Sequence, residues 1–316
     1  MEITYLTSNN GDIYFNKRNI KYAFHDIDGT HSIIRDWPPV MSIVLYDVIK
    51  NGLPENFDSI ENIWRIVNIT GTQPLPETDR FCVESAGLSA LTQMEWAIRR
   101  AIEEGKIVIE CDKDLNSYKI QEIWKGKEIF EEQDSEELTA YLEKNTPRLF
   151  KLYENVLNAF CRDRNLEEAK KDPEKFRIKG SMRFLNFLKE NGVVNYFVTG
   201  AVVEEGKGMH EEVSCLGYQV GHSKQVEGLI GSTWDEKLPK DVIMKRLLQT
   251  LGCKGEDVLI VGDGRAEIAA GVEMGAFTIG RLPQEAKRQR EILESLGVNM
   301  IVEDFESEEF YKIFKK

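Results

Sequence analysis

The sequence has 316 residues, of which 41% are hydrophobic and 30% are charged, a composition that suits a globular protein with a sizeable core. Its formal net charge of −13 disfavours nucleic acid or an anionic membrane surface as the main partner. No apolar run approaches the ~18 residues of a membrane-spanning helix, and we expect no export signal at the N-terminus. The five cysteines are scattered and form no CxxC pair, which favours reduced thiols and a cytoplasmic location.

The first 34 residues predict short β-strands. Residues 2–16 alternate apolar and polar side chains around Asn9-Asn10-Gly11. Because Asn-Gly is a strong hairpin signal, we expect Ile3–Leu6 and Ile13–Phe15 to pair. A second apolar run, Ile20–His25, predicts a buried strand that leads directly into Asp26.

Residues 35–177 have a different, mostly helical character. Apolar side chains at helical spacing predict one helix from Met41 that stops at Gly52 and another from Leu88 that stops at Gly105. A third helix is expected to begin at Thr146-Pro147. Two short strands are also predicted, at Lys106–Glu110 and Tyr118–Trp124, although the second segment also fits a helix. Because this block is too long for a loop, we predict that it is an inserted domain.

From residue 178 onward, apolar strands alternate with helices. Alternation of this kind predicts an α/β fold, with a doubly wound, mostly parallel sheet. We therefore expect a Rossmann-like core from residues 1–34 and 178–316, with a mainly α-helical cap domain at 35–177. The oligomeric state remains open. The predicted strands are Val193–Val198, Val258–Val261, Ala276–Ile279 and Met300–Val302.

Polar side chains follow three of the predicted strands. Asp26 and Asp28 follow the first, Thr199 ends the second, and Asp263 follows the third. Because the carboxyl ends of parallel strands share one edge of a sheet, these side chains are expected to meet. With Glu267 nearby, the carboxylates would form an oxygen-rich site that suits Mg²⁺.

This site offers the groups needed for phosphoryl transfer. One aspartate can attack phosphorus, and Asp28 can act as general acid and then as base if it binds the metal through its backbone carbonyl. The Thr199 hydroxyl can donate to a phosphoryl oxygen. A lysine is still needed to balance the charge, and Lys237 and Lys240 both precede the next helix. Backbone amides that favour an anion are expected at Gly29, Thr30 and Gly200.

Taken singly, each motif also fits an ordinary turn or helix cap. Together, and in this order, they resemble the four motifs of the haloacid dehalogenase superfamily of phosphohydrolases. The resemblance covers residues 1–34 and 178–316, and the insertion lies where that family carries a helical cap. The motifs are Phe24-His-Asp-Ile-Asp-Gly-Thr30, Phe197-Val-Thr-Gly200, Lys237 before Asp241, and Ile260-Val-Gly-Asp-Gly-Arg-Ala-Glu267.

The resemblance implies a role for each matched residue. Asp26 is expected to be the nucleophile and a Mg²⁺ ligand, and Asp28 the general acid/base and a ligand through its carbonyl. Thr199 is expected to bind the phosphoryl group, Lys237 to stabilise charge, and Asp263 to hold Mg²⁺.

Two positions depart from the family pattern. Glu267 stands where many members have aspartate, and we keep it as a metal-ligand candidate. His31 stands where many have an apolar residue, and it is interpreted as loop solvation or a substrate contact.

We therefore expect a Mg²⁺-dependent phosphatase that acts on a small phosphorylated metabolite through an aspartyl-phosphate. Asp28 favours phosphatases or phosphomutases over dehalogenases and phosphonatases, because those lack an acid at this position. Two alternatives remain open. One is a phosphomutase acting on a sugar phosphate, and the other is a non-catalytic phosphate-binding protein that has kept the fold.

Overall fold

The computed structural model describes residues 4–5, 19–33, 38–86, 88–233 and 238–314. The chain divides into two compact units, one formed by Met1–Ile33 with Leu166–Lys316 and the other by Ile34–Asn165. In the described ranges, no helix combines the length and apolar character needed to cross a bilayer.

Within its described residues the first unit contains an eight-stranded sheet in which six strands run parallel, as the sequence predicts. Two short strands are antiparallel: β1 (Thr4–Tyr5) pairs with β8 (Met300–Val302), and β4 (Lys207–Gly208) pairs with β3 (Val194–Glu204). The parallel strands lie in the order β8 (Met300–Val302), β7 (Phe277–Arg281), β6 (Val258–Gly262), β2 (Tyr22–His25), β3 (Val194–Glu204) and β5 (Gly228–Ser232).

Helices cover both faces of this sheet, which confirms the predicted doubly wound fold. Neighbouring residues of β2 point to opposite faces. Ala23 packs in a cluster with Phe184, whereas Phe24 packs in another with Ile243 and Met244. The helices of the first unit that follow the helical insertion are α8 (Ser181–Glu190), α9 (Met209–Cys215), α10 (Lys240–Leu251), α11 (Arg265–Met274), α12 (Lys287–Ser295) and α13 (Glu308–Lys312).

The described residues of the second unit form helices joined by turns and loops, with no strand among them. The predicted strand at Lys106–Glu110 is absent there, and Tyr118–Trp124 lies in a helix whose start is capped by Asp112, which accepts from two backbone amides. Trp96 is fully buried and stacks on Phe81. The helices are α1 (Pro38–Asn51), α2 (Ile60–Ile69), α3 (Pro76–Glu84), α4 (Ala90–Glu103), α5 (Lys113–Trp124) and α6 (Glu136–Leu157).

Helix α6 begins earlier than the sequence suggested. The hydroxyl of Ser135 accepts from the amide of Leu138 and caps the helix, and Pro147 lies inside it rather than at its start. The prediction of a helix beginning at Thr146-Pro147 is therefore wrong. A π-helical turn, Asn158–Arg162, follows α6.

The division between the units falls at residues 165 and 166, whereas the sequence suggested 177 and 178. Packing explains the difference. Ala169, in α7 (Asp163–Lys171), and Phe176 belong to the same buried cluster as Ile27 and Phe197 next to the sheet.

The remaining strands compare with the sequence as follows. β1 pairs with β8, whereas the predicted hairpin partner Ile13–Phe15 lies outside the described residues, so that pairing stays a prediction. β3 continues to Glu204, well beyond the predicted end at Val198. β5 was not predicted, because its five residues include two glycines and carry little strand signal.

Candidate active site

The ends of β2 and β6 bring three carboxylates together. His25 pairs with Val261, and the amide of Asp26 donates to the Val261 carbonyl, so the two strands end side by side. Oxygen atoms of Asp26, Asp263 and Glu267 all lie within 4.8 Å of one another. Asp263 lies 237 positions after Asp26 in the sequence, and the two meet as the sheet topology predicts.

Lys240, the first residue of α10, is the positive partner of this cluster. Its Nζ lies 2.6 Å from Asp26 Oδ1 and 3.2 Å from Glu267 Oε2, and all three side chains are buried. Burial alone would lower the pKa of Lys240, but the two carboxylates outweigh it and raise that pKa, so the lysine is charged. Lys237, which the family resemblance suggested for this role, lies outside the described residues.

Glu267 has two protein partners. It stands at the third position of α11, where its Oε1 accepts from the backbone amide of the N-cap residue Gly264 at 2.5 Å, while Oε2 accepts from Lys240. Burial raises the pKa of Glu267, and Lys240 opposes that rise. The pKa of Asp263 is raised well above its usual range by burial and by the neighbouring carboxylates of Asp26 and Glu267.

The cluster fits a divalent cation in charge and in ligand type. One lysine balances one of the three carboxylates, which leaves two uncompensated negative charges within 4.8 Å of each other. Such a surplus is costly unless a cation or protons offset it. Oxygen ligands of this type suit Mg²⁺. The cradle is also tight, since a Cβ at Gly29 or Gly262 would overlap the carboxylate of Asp263 or Glu267.

The turn after β2 is held by its own hydrogen bonds. The amide of Gly29 donates to Ser32 O at 3.0 Å, and the amide of Thr30 donates to Ile27 O at 3.1 Å. These two amides, which the sequence suggested for anion binding, are therefore engaged within the turn. Thr30 instead approaches Asp263 through its hydroxyl, at 3.4 Å from Oδ1. Asp28 is half-buried and lies at the same turn.

Thr199 and Gly200 lie at an irregularity of β3. The pairing with β5 is regular at Val198 and resumes in a shifted register at Val202. The Thr199 hydroxyl oxygen accepts from the amide of Ala201 at 3.1 Å, so its own proton remains available for a ligand oxygen. Gly200, where we expected an anion-binding amide, lies within β3 rather than at the start of a helix, because the strand continues to Glu204 and α9 starts only at Met209.

Two residues near the cluster were missed from the sequence. Arg281 ends β7, and its Nη1 donates to the carbonyl of Gly29 at 2.9 Å. The side chain of Gln289 donates to the carbonyl of Asp263 at 3.0 Å. The strand-end rule that identified Asp263 would also have identified Arg281, whereas Gln289 lies on α12 and had no comparable signal.

His31 does not solvate the loop, which corrects that interpretation, and its burial leaves no part of the ring open to a substrate. It is fully buried, and its ring nitrogens lie 3.0 Å from His25 Nδ1 and 2.5 Å from the Ser181 hydroxyl. Burial lowers the pKa of His25 to about 4 and that of His31 well below its usual value. The two neutral rings therefore pack against each other next to the turn that carries Asp26 and Asp28.

The chain resembles several solved structures at low sequence identity. A candidate β-phosphoglucomutase from Bacteroides vulgatus has a TM-score of 0.50 at 16% identity, with 94% of this chain and 91% of that chain covered. A candidate phosphoglycolate phosphatase from Lactobacillus delbrueckii subsp. bulgaricus gives 0.51 at 14% identity, with 95% and 100% covered. A phosphonoacetaldehyde hydrolase-like protein from Oleispira antarctica gives 0.50 at 14% identity, with 94% and 93% covered.

The chain has the haloacid dehalogenase-type fold. At these identities the likeness establishes the shared fold, and it extends over nearly the whole chain, including the helical insertion. No protein-family model matches the sequence, and no curated protein matches it.

Proposed function

We propose that the protein is a Mg²⁺-dependent phosphatase that hydrolyses a small phosphorylated metabolite through an aspartyl-phosphate on Asp26. The observation that carries this proposal is the buried cluster in which one lysine faces three carboxylates at the edge of a parallel sheet. Asp26, Asp263 and the carbonyl of Asp28 would hold the ion, and Glu267 would ligate it or contribute charge. When bound, Mg²⁺ supplies a hard positive charge for the phosphoryl oxygens.

The protein's own groups account for each proton and bond in the reaction. The Asp26 carboxylate attacks phosphorus, the bond from phosphorus to the ester oxygen breaks, and Asp28 gives its proton to that oxygen. Asp28 then takes a proton from water as the water oxygen bonds to phosphorus and the bond to Asp26 breaks. Inorganic phosphate leaves, and both aspartates return to their starting states. The Thr199 hydroxyl donates to a phosphoryl oxygen, and Lys240 balances charge beside Asp26.

Several further assignments belong to this proposal. The helical unit, inserted between the Asp28 turn and Thr199, would act as the cap that recognises the leaving group. None of the five cysteines forms a disulfide, which is compatible with a reducing cytoplasm. A phosphomutase would use the same aspartate pair but would return the phosphoryl group to another hydroxyl of a sugar phosphate.

The direct test is phosphate release from p-nitrophenyl phosphate and from a panel of phosphorylated metabolites, with Mg²⁺ and with EDTA. Asp26→Asn and EDTA should each abolish release. Asp28→Asn should slow hydrolysis of the intermediate, so intact-protein mass spectrometry should detect one added phosphoryl group. Asp114→Asn, an exposed aspartate on α5, is the matched control and should retain full activity.

Full activity of Asp26→Asn would contradict the proposal, as would turnover in EDTA equal to that in Mg²⁺. Conversion of a sugar phosphate to its isomer without net phosphate release would favour the phosphomutase. Phosphate binding without turnover of any phosphoester would favour the non-catalytic alternative.

A further inference from the structure

The hydroxyl of Ser32 lies between two carboxylates that are far apart in sequence. Its Oγ is 3.1 Å from Asp28 Oδ1 and 3.1 Å from Glu212 Oε1. Ser32 is 1% exposed and Glu212 3% exposed, so this contact is almost closed to solvent. A buried carboxylate one hydroxyl away from the proposed acid/base is not required by the fold, and it calls for a physical explanation.

The Ser32 hydroxyl can act either as a hydrogen-bond donor or as an acceptor toward a carboxyl group. A hydroxyl carries one proton and two lone pairs, so it can donate to a carboxylate or accept from a carboxylic acid. Ser32 can therefore keep a hydrogen bond to Asp28 whether or not the Asp28 carboxyl carries the proton that it exchanges. When Ser32 accepts from Asp28, its own proton points to Glu212, so no buried donor is left without an acceptor.

Backbone hydrogen bonds hold Ser32 in place, and core packing holds the helix that carries Glu212. The amide of Ser32 donates to Ile27 O at 2.9 Å, and its carbonyl accepts from Gly29, so the side chain of Ser32 is held across the same turn as Asp28. Glu212 lies on α9 between the buried residues Met209 and Val213, which anchor that helix in the core. The hydroxyl therefore sits on a rigid support rather than on a mobile loop.

We propose that Ser32 and Glu212 are positioning residues for Asp28. This inference rests on the proposed phosphatase function and extends it. Ser32 holds Oδ1 of Asp28 by donating to the carboxylate or by accepting from the carboxylic acid, and Glu212 takes the Ser32 proton whenever Ser32 accepts. Neither residue touches substrate. Their effect is to keep Asp28 in one orientation through both halves of the reaction.

The test uses two aryl phosphates whose leaving groups differ in their need for a proton. The nitrophenolate of p-nitrophenyl phosphate leaves without being protonated, whereas the phenolate of phenyl phosphate depends on protonation by the general acid. The value of kcat/KM reports the first, phosphorylating step. In Ser32→Ala the ratio of kcat/KM for phenyl over p-nitrophenyl phosphate should fall roughly 10-fold, a fraction of what a general acid contributes. The rate with p-nitrophenyl phosphate should change little.

Glu212 is tested with two variants and a neighbour. Glu212→Leu removes the acceptor and should lower the same ratio, whereas Glu212→Gln keeps an acceptor oxygen and should restore most of it. Glu211→Leu, at the adjacent and more exposed position of α9, should keep the wild-type ratio. Circular dichroism and thermal unfolding of each variant check that the fold is intact.

A double-mutant cycle decides whether Ser32 acts through Asp28. In an Asp28→Asn background, Ser32→Ala should change the ratio no further. The inference is overturned if Ser32→Ala lowers both rates equally, or if it lowers the ratio just as much without Asp28. A failure of the parent proposal looks different, because Asp28→Asn itself would then keep the wild-type ratio, and that result would overturn both.

Discussion

Replacement of Lys240 by methionine tests the charge balance of the site most directly. Methionine keeps much of the side-chain length and removes the charge. In the native protein Lys240 is 4% exposed and lies 2.6 Å from Asp26 and 3.2 Å from Glu267. Removing one partner of a buried ion pair leaves the other charge uncompensated, which costs about 3–5 kcal/mol of folding free energy.

The loss of folding free energy in Lys240→Met should depend on pH and on Mg²⁺. Lys240 opposes the rise in the pKa of Asp263 and Glu267, so its removal raises both pKa values further. A carboxyl whose pKa is raised in the native state binds a proton more readily there than in the unfolded chain. The deficit of Lys240→Met should therefore be largest at about pH 8 and smaller at about pH 5. Mg²⁺ should restore more stability to the variant than to the wild type.

Urea denaturation in EDTA measures the stability, and phosphate release measures the activity. The variant should lose roughly 100-fold or more in kcat, the typical cost of losing one preorganised charge at a phosphoryl or oxyanion site. Lys245→Met is the matched control, because Lys245 lies on the same helix but is exposed. If Lys240→Met behaves like Lys245→Met in both assays, the charge-balance argument fails. If Lys237→Met instead abolishes activity, the lysine suggested by the family resemblance is the functional one.

Three other changes test separate contacts. Gly29→Ala should cost about 1–2 kcal/mol of folding free energy, because φ is +78° and a Cβ would overlap the carboxylate of Asp263. Calorimetric titration should also show weaker Mg²⁺ binding, and binding as tight as that of the wild type would contradict a close fit at Gly29. Burial lowers the pKa of His25 to about 4, so below roughly pH 6.5 the unfolded chain binds a proton that the native state does not. The wild type should therefore lose up to about 3 kcal/mol of folding free energy between roughly pH 6.5 and pH 4, measured by urea unfolding. His25→Gln should lose less, and an unchanged pH slope in that variant would refute the argument. Asp134→Asn should destabilise the helical unit by about 3–5 kcal/mol, because Asp134 pairs with the buried Arg99 and Lys119, and an unchanged denaturation midpoint would exclude that role.

The sequence could predict the fold and most of the carboxylates, because those signals are local. A run such as Val258–Val261 is buried on both faces and reads as a central parallel strand without any knowledge of its neighbours. Parallel topology then places the residues after such strands at one edge, which was enough to bring Asp26 and Asp263 together. Helices with clear stop signals, such as α1 before Gly52, were also predicted correctly.

The helical unit was harder to predict for a physical reason. Helices α1 and α4 are buried nearly all round, and the segment Lys106–Glu110, with its apolar centre, fits several local structures. The start of α6 depended on the Ser135 cap, whereas Pro147 offered a stronger but misleading signal. Local propensity is a weak guide where tertiary packing decides which turn continues.

The sequence by itself determined which residue types the site would contain, and the tertiary structure decided which of them touch. Lys237 and Lys240 are equivalent in pattern, and only the packing of α10 against the sheet brought Lys240 onto Asp26. Glu212 reads as a solvated helix residue, yet the fold buries it 3.1 Å from a serine that is 180 positions away. Such contacts depend on how distant segments pack, because a side chain's environment is set by its neighbours in space, and no local pattern encodes them.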